Sequence, residues 1–210
     1  VFLRGKCRYC RKSISRQYPI VEVLTAVLFA ISYIYWPKDI VGFEVVTFSS
    51  WLVLLIGFMA LAVYDFRWML LPNKIVFPLY WVGLVFAAAR LIQTEAWMAF
   101  ILEVAIAIAI GGGIFWVLYQ FSGGKWIGGG DVKIGFLLGL LSGTPVNALL
   151  MLFASSLLGT AYSAPILFRA GHARGSAKIP FGPFLLAGCF ISVVFGQRIV
   201  AWYLGLTLGI

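Results

Sequence analysis

Long apolar runs dominate this chain, and each is close to the roughly 17 to 25 residues that a helix needs to cross the hydrocarbon core of a bilayer. Seven runs are read, at about 20–36, 44–64, 74–92, 98–120, 132–144, 146–168 and 181–208. Inside lipid no water is available to the backbone N–H and C=O groups, so each run must satisfy them internally as helix. The expected fold class is therefore all-α, a polytopic transmembrane helix bundle of about seven spans. The fifth run is the weak one. At 1.5 Å per residue it covers only ~20 Å, so it is expected to tilt into a thinned region or to be partly re-entrant beside other helices. Gly143-Thr144-Pro145 is the expected turn between it and the sixth span.

The polar residues are too few to build a soluble surface. Apolar residues make up 62% of the 210, mean hydropathy is +1.01, and 16 basic residues face only 7 acidic ones. Soluble enzyme folds are excluded on that ground. A net charge of +9 would suit nucleic acid, but the basic residues are sorted by side instead. Lys38, Arg90 and Arg198 fall on one side of the expected bundle, and all other Lys and Arg fall with the N-terminus. Basic residues are retained on the cytoplasmic face, so the N-terminal segment and the loops near 65–74, 121–133 and 169–180 are expected in the cytoplasm, with the C-terminus outside. The expected partner is the lipid bilayer, and no nucleic acid. Residues 1–19 form a basic segment and 20–210 the membrane domain. Val1 is not an initiator methionine, so a longer protein is expected, and residues 1–18 are too charged for the apolar region of a signal peptide.

Seven acids in such a chain narrow the search for chemistry. Asp39, Glu44 and Glu95 sit in or beside outer loops and read as solvated charges, and Glu103 as reaching back to the interface. Glu22 follows Pro19 at the start of the first span, where a helix N-terminus favours negative charge. Asp65 and Asp131 differ: each adjoins a span, and the charge count puts both on one side at similar depth. Ionisable groups at a membrane boundary are costly to retain, which makes function the default reading. Asp131 follows Gly128-Gly129-Gly130, where on its own it would serve as an N-cap. Asp65 lies at the end of the second span, in Tyr64-Asp65-Phe66-Arg67, before Leu71-Pro72-Asn73.

Two carboxylates held together do not both ionise, so one can act as acid and the other as base on a water molecule. The helix N-terminus, the glycine N–H groups and Lys133 all favour an ionised Asp131, and the negative end of the second span favours a protonated Asp65. His172 is the only histidine and lies in a Gly/Arg loop, which leaves no Ser-His-Asp set. The glycine run is no P-loop, because Lys133 follows Asp131 rather than closing a Gly-x-x-x-x-Gly-Lys pattern.

Five ordered motifs give the sequence a wider likeness: Arg4-Gly5-Lys6-Cys7-Arg8-Tyr9-Cys10, Arg16 to Ala26, Asp65 with Leu71-Pro72-Asn73, Gly128 to Lys133, and Ile179-Pro180-Phe181-Gly182-Pro183-Phe184. In these it resembles the bacterial prepilin peptidases, the type IV leader peptidases of the Gly-x-Gly-Asp membrane aspartic protease class. The resemblance implies that Asp65 and Asp131 are the catalytic pair, and that Lys178 to Phe184 is the basic loop motif at the membrane. Gly128, Gly130, Lys133, Pro180, Gly182 and Glu22 would support the motif or the substrate site. Asn73 stands where many relatives carry Asp, a difference expected to matter little.

The resemblance further implies an enzyme of the bacterial cytoplasmic (inner) membrane, with its active site facing the cytoplasm. It would remove the leader from type IV prepilins and secretion pseudopilins, cutting after a Gly and before a hydrophobic helix. Proteolysis would need no cofactor. Many such enzymes then methylate the new N-terminus with S-adenosylmethionine. Relatives usually begin with a further span and two Cys-x-x-Cys pairs that can bind zinc. The sequence here carries one pair, Cys7 and Cys10, which is half of a tetrahedral site or simply two reduced thiols. Cys189 is expected to be a packing residue. Two rival readings are a proton-coupled transporter using Asp65 and Asp131 as a relay, and a non-catalytic subunit of pilus assembly.

Overall fold

A computed structural model describes residues 9–10, 12–13, 15–170 and 180–208, with the side chains of 167–170 and 208 left aside. Every regular element among them is helical: α1 (Gln17–Tyr35), α2 (Phe43–Trp68), α3 (Asn73–Ile92), α4 (Trp97–Ile108), a π-helical turn (Ala109–Gly113), α5 (Ile114–Ser122), α6 (Gly129–Ser142), α7 (Pro145–Ala170) and α8 (Gly182–Leu208). Six stretches are long and apolar enough to cross a membrane: α1, α2, α3, α4 continued through the π turn to the end of α5, α7 over Pro145–Ile166 and α8 over Gly182–Thr207. This is the all-α polytopic bundle read from the sequence. The fifth predicted span, α6, has only 14 residues and does not reach the length of a crossing.

The chain divides into two compact units at Trp36/Pro37. The first contains α1, which has no acidic residue in its first turn. Because α1 begins at Gln17, Glu22 is exposed in its second turn, where the favourable field of the N-terminus has faded.

The second unit is built around α6. Beyond Lys133 that helix is almost wholly apolar, and nine of its residues are buried, as expected of a helix enclosed by others rather than facing solvent or lipid. Neighbours on every flank are α3, α4 with the π turn, α5, α7 and α8. Ile134, Leu137, Leu138 and Leu141 are fully buried, together with Leu54 and Leu55 of α2, Val76 of α3, Met151 of α7 and Leu185 of α8. Trp51 of α2 has no exposure and packs its ring against Phe58, Phe86 and Phe190.

One flank of α6 meets backbone directly. A Cβ at Gly135 would lie 2.5 Å from the carbonyl oxygen of Gly111, and one at Gly139 would lie 2.6 Å from that of Ala107. Such approach is open only to glycine, and small residues at helix contacts are how membrane helices gain packing energy without a hydrophobic driving force. The π turn at Ala109–Gly113 is the wall of this seat.

The turn after α6 has the predicted residues. Gly143 adopts φ +73, the Thr144 Oγ1 accepts the backbone N–H of Asn147 at 3.2 Å, and Pro145 opens α7. Glu44 departs from its reading as a solvated loop charge. It lies in the first turn of α2, is 4% exposed, and has Lys38 Nζ at 4.0 Å. Cys189 is fully buried, in accord with a packing role.

Candidate active site

Three helix ends meet at one end of the second unit. Helix α2 finishes at Trp68 rather than running on to Pro72, because Met69 turns left-handed (φ 51) and donates its N–H to the Asp65 carbonyl oxygen at 2.9 Å. The chain then passes through Leu71 and Pro72 into α3. Helix α6 starts at Gly129, with Asp131 in its first turn and the Asp131 N–H donated to Gly128 O at 3.1 Å. Helix α8 starts at Gly182.

Asp65 is 5% exposed, and its Oδ2 accepts the backbone N–H of Gly182 at 3.0 Å. That amide is at the first position of α8, one of the helix donors without an internal partner. Asp65 therefore stands near the negative end of its own helix and at the positive end of another.

Both carboxylates line one cavity of about 420 Å³, shared with Leu71, Asn73, Lys133 and the Gly128–Gly130 backbone. Glycine is needed where the walls approach. A Cβ at Gly182 would sit 2.6 Å from Asp65 Oδ2, and one at Gly130 would sit 3.0 Å from Leu71 Cδ1. Leu71 also lies 3.6 Å from the Cβ position of Gly182, so it packs between the first turns of α6 and α8.

The geometry adds to Asp131 an upward shift that the sequence argument did not count. Burial pushes its carboxyl up to about 6, the nearby Asp65 charge adds to that, and a backbone hydrogen bond from Gly128 opposes both. Lys133 directs its Nζ to Asn73 Oδ1 at 3.0 Å. Asn73, read as incidental, is thus the partner that directs the lysine.

The structure brings together Asp65, Asp131, Gly128, Gly130, Lys133 and Gly182, with Pro180 two residues before α8. Lys178 and Ile179 of the loop motif lie outside the described residues, as do His172 and Cys7. Cys10 is exposed with a free thiol, and no group of three potential metal ligands occurs among the described residues. Of the predicted Cys7/Cys10 pair only Cys10 is among the described residues, and no step is derived through the metal. The cavity lining sets Met69, Leu70 and Leu71 beside the two carboxylates, and no step is derived through S-adenosylmethionine there. Sequence reasoning missed the roles of Leu71 and of the Gly182 amide. The available signal was Pro180-Phe181-Gly182-Pro183, a helix start rich in the residues that open helices and permit close approach.

A polytopic helical protein with two acids and a glycine-lined cavity at one end is the architecture of a membrane-embedded aspartic peptidase. The sequence matches the type IV leader peptidase family over residues 52–164 and the bacterial peptidase A24 N-terminal domain over 1–36. The chain belongs to the type IV leader peptidase family. Relatives named prepilin leader peptidase/N-methyltransferase include proteins of Stutzerimonas stutzeri (31% identical, covering 96% of this chain and 66% of that protein) and Bacillus subtilis strain 168 (31%, 100% and 78%). Another is from Xanthomonas campestris pv. campestris (33% identical, 97% and 68%). The chain thus spans about two thirds of the length of the Stutzerimonas protein. No solved structure gave a significant match.

Proposed function

We propose that the protein is an aspartic endopeptidase that removes the leader peptide from type IV prepilins and secretion pseudopilins, with Asp65 and Asp131 as its catalytic pair. The observation that carries this is the shared cavity. Two carboxylates from distant parts of the sequence face one space, and burial and mutual charge push the Asp131 carboxyl up to about 6.

In the proposed reaction the pair holds one proton, placed on Asp131, and a water molecule lies between the two carboxyl groups. Asp65 takes a proton from the water as its oxygen bonds to the scissile carbonyl carbon. Asp131 gives its proton to the carbonyl oxygen, forming a neutral tetrahedral gem-diol. The C–N bond then breaks as the proton on Asp65 passes to the leaving nitrogen, and a hydroxyl proton returns to Asp131. The products are a leader with a new carboxyl group and a mature chain with a new amine. The Gly182 amide fixes the orientation of Asp65 throughout.

The charge asymmetry of the loops supports an active site on the cytoplasmic side of the bacterial inner membrane, because the helix ends carrying Asp65, Asp131 and Gly182 adjoin the basic loops. Methylation of the new amine, with S-adenosylmethionine as donor, is proposed for the longer protein on the strength of the relatives' names. Incubating the purified full-length protein with a prepilin in detergent and sequencing the products tests the reading. A single cut at the leader junction is expected, and an intact substrate under conditions that keep the enzyme folded would overturn it.

A further inference from the structure

Helix α6 is too short for the membrane it sits in. Its 14 residues give about 21 Å of helix, against a hydrocarbon core of about 30 Å. Since its first turn lies at the end of the bundle with Asp65, its last turn ends short of a full crossing, buried among the neighbouring helices. The final carbonyls of a helix have no partners within it, and in lipid each one left unsatisfied is costly.

The structure supplies partners to three of the last four carbonyls, those of Gly139, Leu141 and Ser142, from side chains and from the turn. Gly143 N–H donates to Gly139 O at 3.5 Å, Ser142 Oγ to Leu138 O at 2.9 Å, and Asn147 Nδ2 to Ser142 O at 3.4 Å. The remaining donor is Arg90 of α3, whose Nη1 lies 3.4 Å from Leu141 O. Arg90 is two residues from the end of α3, so its side chain folds back along its own helix to reach the shorter one. Its guanidinium lies 5.6 Å from the ring centroid of Phe86 and 5.9 Å from that of Phe100, with Glu44 and Glu103 near enough to act on its charge. Gly143 makes the approach feasible, since a Cβ there would fall 2.6 Å from Arg90 Nη1. A cation placed on C-terminal carbonyls also complements the negative end of the helix dipole.

We propose that Arg90 is a positioning residue for the peptidase: by closing the buried C-terminal end of α6 it sets the depth at which Asp131, on the first turn of the same helix, meets Asp65. The proposal rests on the peptidase reading for its effect on cleavage, but not for its effect on α6. Without Arg90 the open carbonyls of α6 draw the helix towards the far aqueous face, which withdraws Asp131 from Asp65. A shift of about 1 Å in a reacting group can cost up to about a hundredfold in rate.

Two readouts in the full-length protein test this. In the first, Arg90→Leu is expected to lower kcat for leader cleavage tenfold or more with KM nearly unchanged, and Arg90→Lys, which keeps a cation and donors, to recover most of the loss. In the second, independent of activity, a cysteine placed at position 133 is alkylated from the aqueous phase, with Cys7, Cys10 and Cys189 replaced. Labelling is expected to slow several-fold with Arg90→Leu and to return towards wild type with Arg90→Lys. Unchanged labelling in folded Arg90→Leu protein would overturn the proposal, as would a loss of kcat that Arg90→Lys does not relieve. A wild-type protein that fails to cleave any prepilin while the labelling shift appears would instead overturn the peptidase reading alone.

Discussion

Replacing Gly182 with Ala separates the geometry of the site from the stability of the fold. The added Cβ would lie 2.6 Å from Asp65 Oδ2 and 3.2 Å from its Cγ, whereas ordinary contact begins at 3.4 Å. Asp65 must therefore retreat by about 0.8 Å, a displacement of the size that costs ten- to a hundredfold in rate when it falls on a reacting group. It also loses the orientation that the 3.0 Å bond from the Gly182 amide supplies. Ala is a better helix former than Gly by up to about 1 kcal/mol, and Gly182 is not among the positive-φ glycines, so the substitution is not strained by backbone conformation. The expected outcome is a kcat for leader cleavage lowered ten- to a hundredfold, with the melting temperature within a few degrees of wild type. The assay is steady-state cleavage of a prepilin peptide in detergent, paired with thermal unfolding of the same preparation. A Gly182→Ala protein that cleaves at the wild-type rate would refute the claim that the α8 N-terminus holds Asp65 in place.

Two further outcomes follow from the charge state of Asp131. Its carboxyl is pushed up to about 6 in the fold, against an ordinary value of 3.8, so between those limits the folded state holds a proton that the unfolded state has released. Stability on this account is greatest below the lower limit and falls as pH rises to about 6, because the unfolded state binds fewer protons there. Asp131→Asn removes this loss, so its melting temperature should rise relative to wild type on going from pH 4 to pH 7, and a constant difference would count against a raised carboxyl. Lys133→Met should leave the acidic limb of the cleavage profile in place, because the lysine is directed to Asn73; a limb moved up by a full unit would show that Lys133 acts on Asp131 after all.

The parts of this structure that could be read from the sequence are those decided by local composition. Hydropathy alone locates six crossings, since a run such as Trp97–Ser122 has nowhere to go but a membrane. The shortness of α6 was equally legible, as was the Gly143-Thr144-Pro145 turn. What remained hidden depends on residues far apart in the chain. The Gly182 amide meets Asp65 across 117 positions, and Arg90 meets Leu141 across 51. Helix-dipole reasoning missed the upward shift on Asp131 because it counted the fields of the helix end and Lys133 but not burial, which follows only from how α2, α6 and α8 come together. Glu44 was misread for the same reason: it stands beside an outer loop in sequence and under a packed helix bundle in space.

The central claim is that Asp65 and Asp131 perform the cleavage together, and the most direct measurement is the single-turnover rate of leader removal by Asp65→Asn and Asp131→Asn proteins. Asn preserves volume but cannot exchange the proton, and losing general acid–base participation costs about a hundredfold to ten-thousandfold. Each variant, inserted and folded at wild-type level, is expected to fall by at least that much. The double variant should fall little further, because the two groups act as one unit. Cleavage by either single variant within a few fold of wild type would remove that residue from the chemistry and contradict the account.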